Sequence, residues 1–246
     1  MQERLAGWGP EGQARLEGST AVVLGLGGLG GTTAMLLARA GVGRLRLVDP
    51  DRVALDNLHR QILYGEADAA QAAPKAQAAA RRLASANGQV RLEAVQAEFQ
   101  ESNGAELLQG TDVVLDCLDR PQPRFVLNEL CLKLGLPWVH AGVVAAQGQL
   151  LVVRPGTTPC LRCWFPGGAE PSFTSAEHGV IGPAASVLAS LQANEALKLL
   201  LGQDQALLAG MLVVRLWPPS FREVRFHRVG QEPCPACGYQ AKPLRP

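Results

Sequence analysis

The segment Ala21-Val-Val-Leu-Gly-Leu-Gly-Gly-Leu-Gly-Gly31 limits the fold more than any other stretch. It lies in an uncharged run, Gly18 to Ala38, about long enough to cross a bilayer. Its glycines argue against a spanning helix, because each costs a helix roughly 1 kcal/mol relative to alanine. A short strand, a glycine turn and a helix near Thr32 to Ala40 fit these residues better. Gly25, Gly27, Gly28 and Gly30 then match G-x-G-x-x-G directly after a strand, and Asp49 closes the next one, Leu45 to Val48. Glycines there allow a tight turn and close backbone approach to a nucleotide, and the carboxylate suits a ribose hydroxyl. The motif alone does not say which nucleotide.

Short β-branched or leucine runs alternate with alanine- and leucine-rich segments, the pattern of a parallel sheet covered by helices. Val90 to Val95, Asp112 to Leu115 and Trp138 to His140 continue the sheet, with helices at Pro74 to Ala86 and about Pro123 to Leu134. The texture changes near residue 142, where Val143 to Val153 reads as two strands around a turn. The expected architecture is α/β: a Rossmann-like, mostly parallel sheet flanked by helices and extended by an antiparallel second half. One domain over 1–246 is expected, with a nucleotide half at about 18–142 and a second half at about 143–246. Pro166 to Gly182, rich in Gly, Pro and Ser, reads as a mobile loop. A helix over Ala184 to Leu201 and strands at Met211 to Leu216 and Arg222 to Phe226 follow.

A hydrophobic content of 47% supplies a sizeable core and excludes disorder. The 23 basic and 22 acidic residues give a net charge of +1, too little field for nucleic acid or an anionic membrane, so neither is an expected partner. Met1 to Glu17 is polar and carries no leader pattern, which points to the cytoplasm.

The string Asp56-Asn-Leu-His-Arg-Gln61 is an odd choice for a plain connector. Lys75 is one of four lysines against nineteen arginines and opens a helix. Arg60 and Lys75 together would neutralise a triphosphate, although either taken singly reads as a solvated charge. Asp116-Cys-Leu-Asp119 falls at the carboxyl edge of the sheet, where a carboxylate can hold Mg²⁺ against phosphates. Residue type does not separate its two aspartates. His59, His140, His178 and His227 lack metal spacing and read as packing or surface residues, while Trp164 and Phe165 read as core.

In this order, Gly25-Leu-Gly-Gly-Leu-Gly30, Asp56 to Gln61, Asp116 to Asp119, Cys160-Leu-Arg-Cys163 and Cys234-Pro-Ala-Cys237 resemble the ThiF/MoeB/HesA family, bacterial relatives of ubiquitin-activating enzymes. Ser190-Leu-Gln-Ala-Asn-Glu-Ala-Leu-Lys198 supports the resemblance, which runs from about Gly9 to Gly238. It implies an ATP- and Mg²⁺-dependent adenylyltransferase acting on the carboxyl-terminal glycine of a small ubiquitin-like sulfur carrier in molybdopterin or thiamine biosynthesis. It also implies a homodimer, and Ser175, in place of a loop nucleophile, leaves the carrier adenylate to an external sulfur donor. The glycine motif, Gly28 above all, and Asp49 correspond to nucleotide and ribose contacts, and Asn57, Arg60 and Gln61 belong to the phosphate-region string. Lys75 corresponds to the transition-state lysine and Asp119 to the Mg²⁺ aspartate.

Cys160, Cys163, Cys234 and Cys237 resemble the family's structural zinc site, and four thiolates suit a closed tetrahedral zinc. Two disulfides are the alternative, unusual in a cytoplasmic chain that leaves Cys117 and Cys131 over. Three positions depart from the family. Ser175 stands where relatives often carry a cysteine, Met1-Gln2 where an arginine precedes a glutamine, and Arg120 where asparagine follows the metal aspartate. Two other readings compete: a catalytically lapsed module that binds a ubiquitin-like tail, and a nicotinamide dehydrogenase. The second leaves Arg60, Lys75 and the cysteine pairs without a role.

Overall fold

The computed structural model describes residues 2–166, 175–226 and 233–239, with Ser175 and Ala176 described in backbone only. Met1, His227 and much of the loop expected at 166–182 lie outside the described residues. The glycine run resolves into strand β1 (Thr20–Leu24), a turn, and helix α2 (Gly28–Ala40), preceded by α1 (Gly9–Gly18). Then follow β2 (Arg44–Val48), α3 (Glu66–Ala70), α4 (Lys75–Ala86), β3 (Arg91–Val95), α5 (Glu101–Leu107), β4 (Val113–Asp116) and α6 (Pro121–Leu134). The second half contains β5 (Trp138–Val144), β6 (Gln147–Val153), α7 (Leu161–Trp164), α8 (Ser175–His178), α9 (Gly182–Leu201), β7 (Met211–Leu216) and β8 (Pro219–Val224).

Among the described residues the strands form one eight-stranded sheet in the order β3-β2-β1-β4-β5-β6-β7-β8. Pairings from β3 through β5 are parallel, and those from β5 through β8 are antiparallel. The ends of β1, β2 and β4 therefore open on one edge, the place where such sheets hold ligands. A larger core on one face joins α2, α4 and α9 to the sheet, and a smaller one on the other gathers Trp138, Phe125 and Leu161 around Cys160 and Cys234.

Helix α9 is held by a buried polar knot. Gln192 donates to the carbonyls of Asp116 and Val139, each at 2.9 Å, and accepts from Thr33 Oγ1 at 2.9 Å and Cys117 Sγ at 3.1 Å. A fully buried amide must be satisfied this way, since an orphaned one costs about 1–3 kcal/mol. Glu195 likewise accepts from the backbone of Leu208 at 3.1 Å and from Lys198. These contacts explain Gln192, Glu195 and Lys198 in an otherwise apolar helix.

Several boundaries differ from the sequence expectation, the start of α2 at Gly28 rather than near Thr32 among them. The strand at Trp138 and the first strand of the later pair are one continuous β5, because Ala141-Gly142-Val143 stays extended against β6. The turn falls at Ala145-Ala146 with Ala145 at φ 53°, a conformation alanine does not advertise. Strand β8 begins at Pro219 rather than Arg222, its register set by the turn at Trp217-Pro218 and the pairing Leu216 with Pro219. Finally, Pro74 caps α4 from outside the helix. No helix among the described residues is long and apolar enough to cross a membrane.

Candidate functional site

A cleft of about 650 Å³ opens at the carboxyl edge of β1, β2 and β4 and runs on over β5, β6 and β7. Gly25, Gly27, Gly28, Asp49, Asn57, Arg60, Gln61, Lys75 and Asp119 all line it. Residues spread over nearly a hundred positions of sequence thus meet in one place. Gly30 is the exception.

The glycines divide by task. Gly25 has φ +86°, and a side chain there would meet the Cys117 carbonyl at 2.6 Å. A Cβ on Gly30 would lie 1.8 Å from the Gly25 carbonyl, so Gly30 lets α2 rise tightly from the turn. It is buried and does not line the cleft. In the structure it serves close packing of the helix start against the turn. Gly28 faces the cleft, and a Cβ added there would lie 3.0 Å from the Arg60 carbonyl.

Asp49 is buried and fixed on both oxygens, accepting from Leu26 N–H at 2.6 Å and Asp51 N–H at 2.8 Å. Burial raises its pKa, an effect opposed by the Lys75 charge and these two amides. Each oxygen keeps a second lone pair for a hydroxyl donor. Lys75 Nζ lies 2.9 Å from Asp51 Oδ2; the lysine side chain is 7% exposed and the aspartate 62%. Arg60 donates through Nη2 to Asn57 Oδ1, so the two residues are oriented as a unit. The Gln61 side-chain oxygen is buried without a hydrogen-bond partner among the described residues.

The two aspartates at the end of β4 separate cleanly. Asp116 is wholly buried, accepting from His140 Nδ1 at 2.7 Å and Leu118 N–H at 3.1 Å, with Arg124 Nε 3.6 Å away. It anchors the loop. Asp119 has an 82% exposed side chain at the cleft wall. An exposed carboxylate paired only loosely, 4.0 Å from Arg120 Nε, fits a Mg²⁺ ion, which takes one or two carboxylates and completes its shell with phosphate oxygens and water. Arg120, next to it, bonds Glu98 across the cleft.

The four paired cysteines meet in the smaller core, with their sulfur atoms within 4.8 Å of one another. Three edges are 3.8 Å for Cys160 to Cys163, 4.0 Å for Cys160 to Cys234 and 3.6 Å for Cys163 to Cys237. A tetrahedron with zinc–sulfur bonds of about 2.3 Å has edges of about 3.8 Å, so the donor set fits zinc closely. All six cysteines are free thiols, which removes the disulfide alternative from this structure. Trp164 and Phe165 pack against the same core, as expected. Burial pushes the Cys117 and Cys131 thiols well up, leaving neither a ready nucleophile.

Residues 1–236 match the ThiF family. The chain belongs to the ThiF family. It is 40% identical over 239 residues to a sulfur carrier protein adenylyltransferase of Thermus thermophilus, covering 94% of this chain and 86% of that one. It is 36% identical over 244 residues to a sulfur carrier protein ThiS adenylyltransferase of Bacillus subtilis, covering 99% and 72%. Among solved structures, E. coli MccB superposes with a TM-score of 0.79 at 20% identity, covering 95% of this chain and 69% of that one, a likeness of fold.

Within this ThiF chain, several cleft residues had no clear signal in the sequence. Asp51 sits beside Asp49 in Asp49-Pro-Asp51, which in hindsight reads as two carboxylates with opposite exposures. Gln149 and Arg215 enter from β6 and β7, brought in by antiparallel pairing that no local motif announces. His140 is a buried hydrogen-bonded packing residue, in line with its reading from sequence.

Proposed function

We propose that this protein is an ATP-dependent adenylyltransferase that activates the Gly-Gly carboxylate of a small ubiquitin-like sulfur carrier for molybdopterin or thiamine biosynthesis. The observation that carries the reading is the convergence of Arg60, Asn57, Lys75 and Asp119 around the glycine turn in one cleft. The cleft's continuation along Gly142, Gln149 and Val213 supports entry of a thin, glycine-ended tail beside the nucleotide. The names of the two relatives favour the same substrate class.

In this reading Asp49 binds the ribose, and the turn at Gly25, Gly27 and Gly28 lets the phosphates approach the backbone. A carboxylate oxygen of the carrier tail attacks the α-phosphorus; the bond to the bridging oxygen breaks, and pyrophosphate leaves with the electron pair. Two anions are forced together in this step, so the barrier is mainly electrostatic. Arg60, oriented by Asn57, meets the phosphate oxygens, while Lys75 leaves Asp51 to face the charge that builds at phosphorus. Asp119 would hold Mg²⁺, which supplies further neutralisation of the phosphates. Cys160, Cys163, Cys234 and Cys237 would hold a structural zinc that ties the chain end to α7.

The chain acts as one adenylation unit, works as a homodimer in the cytoplasm, and passes its carrier adenylate to an external sulfur donor, Ser175 being a poor acceptor. Mass spectrometry of a Gly-Gly carrier after incubation with enzyme, ATP and Mg²⁺ tests the reading. An adenylated carrier terminus is expected; a carrier that stays unmodified at enzyme-stoichiometric concentration would overturn it.

A further inference from the structure

Glu98 lies just beyond β3 and Arg120 just beyond β4. In the sheet these strands are separated by β2 and β1, whose ends carry Asp49 and the glycine turn. The Glu98 to Arg120 ion pair therefore bridges the edge of the sheet above the two strands that form the floor of the cleft. Both residues line the cleft, next to the apolar side chains of Phe99 and Leu118. Leu118 is half-buried at this wall, while Phe99 is turned into the smaller core and is 3% exposed.

We propose that Glu98 and Arg120 strap the mouth of the cleft over the nucleotide and set how long it stays bound. The inference rests on the reading of the cleft as a nucleotide site. Arg120 Nε also lies 4.0 Å from Asp119 Oδ1, so the strap reaches the carboxylate expected to hold Mg²⁺. Gln100 Nε2 also donates to Glu98 at 3.1 Å, steadying it from its own loop. On the other side Arg120 is the residue that leads into α6, whose first turn begins with Pro121. One end of the strap is thus fixed by a side chain and the other by a helix start. The partners are about half exposed, so the strap opens readily and acts on a rate rather than blocking entry.

The test is stopped-flow release of an ATP labelled on its γ-phosphate with a fluorophore, which leaves base and ribose free, chased with unlabelled ATP from the full-length protein in Mg²⁺. Glu98→Gln and Arg120→Gln should each speed release about two- to fivefold, the range an exposed ion pair supports. The double variant should be no faster than the faster single one. The exchanged pair, Glu98→Arg with Arg120→Glu, should return release to within about twofold of the parent. Thermal melting of each variant checks that the fold is kept. Single variants releasing at the parent rate, or an exchanged pair as fast as the singles, would overturn the strap while leaving the nucleotide site standing. Failure of the parent protein to bind the labelled ATP would overturn the nucleotide reading and the strap with it.

Discussion

Lys75 Nζ rests 2.9 Å from Asp51 Oδ2, a nearly buried ammonium held by a mostly exposed carboxylate at the mouth of the cleft. The asymmetry matters. An exposed carboxylate loses little when its partner leaves, whereas a buried ammonium needs a replacement anion at once. A triphosphate is such a replacement. The pair therefore reads as a resting position from which Lys75 is released by substrate.

Lys75→Ala should lower carrier adenylation on the order of 10²- to 10³-fold, the usual cost of removing one group that stabilises transition-state charge. Its melting temperature should change by only a few degrees, because Asp51 is left facing water. Single-turnover adenylate formation and thermal melting on the same sample check both halves. Asp51→Asn should cost far less activity than Lys75→Ala; equal losses would mean that the carboxylate has a part in the reaction.

The two aspartates at the end of β4 should respond in opposite ways. Asp116→Asn breaks a buried arrangement with His140 and Arg124 and should destabilise the fold by about 3 kcal/mol. Asp119→Asn should leave stability within about 0.5 kcal/mol and lower adenylation, with poor rescue by added Mg²⁺. Urea unfolding alongside a Mg²⁺ titration of activity separates them.

Most of the sheet was legible because parallel strands buried on both faces read as continuous apolar runs, as in Ala21 to Leu24 and Val113 to Leu115. The glycine turn was legible for the same local reason: Gly25 sits at positive φ beside a carbonyl that excludes any side chain. Asp116 could not be told from Asp119 in the sequence, since one is buried by contacts from β5 and α6 that only the fold supplies. The Ala145 turn was hidden because alanine carries no turn signal, and Glu98 because its partner lies on a distant loop.

The protein should contain about one zinc per chain as purified without chelator. Cys160→Ser should remove most of it and lower the melting temperature by several degrees, since Cys160 is wholly buried in the smaller core. Nucleotide affinity should move less, because none of the four cysteines lines the cleft. Elemental analysis with a melting curve checks this; metal-free protein of unchanged stability would contradict it.

Ser175→Ala should leave adenylation and overall sulfur transfer within about twofold of the parent, as a serine hydroxyl, almost wholly protonated at neutral pH, is a weak nucleophile. Intact-protein mass spectrometry of a trapped reaction should find no carrier attached to the enzyme. An adduct at Ser175, Cys117 or Cys131 would require a covalent second step.

In the proposed reaction the cleft joins ATP to a carrier carboxylate and releases pyrophosphate. Incorporation of labelled pyrophosphate into ATP, measured with a carrier ending in Gly-Gly and with the same carrier lacking its last glycine, tests it most directly. Exchange that requires the intact carrier and disappears in Lys75→Ala is the predicted result. No exchange with any Gly-Gly carrier tested, or exchange of equal rate in Lys75→Ala, would contradict it.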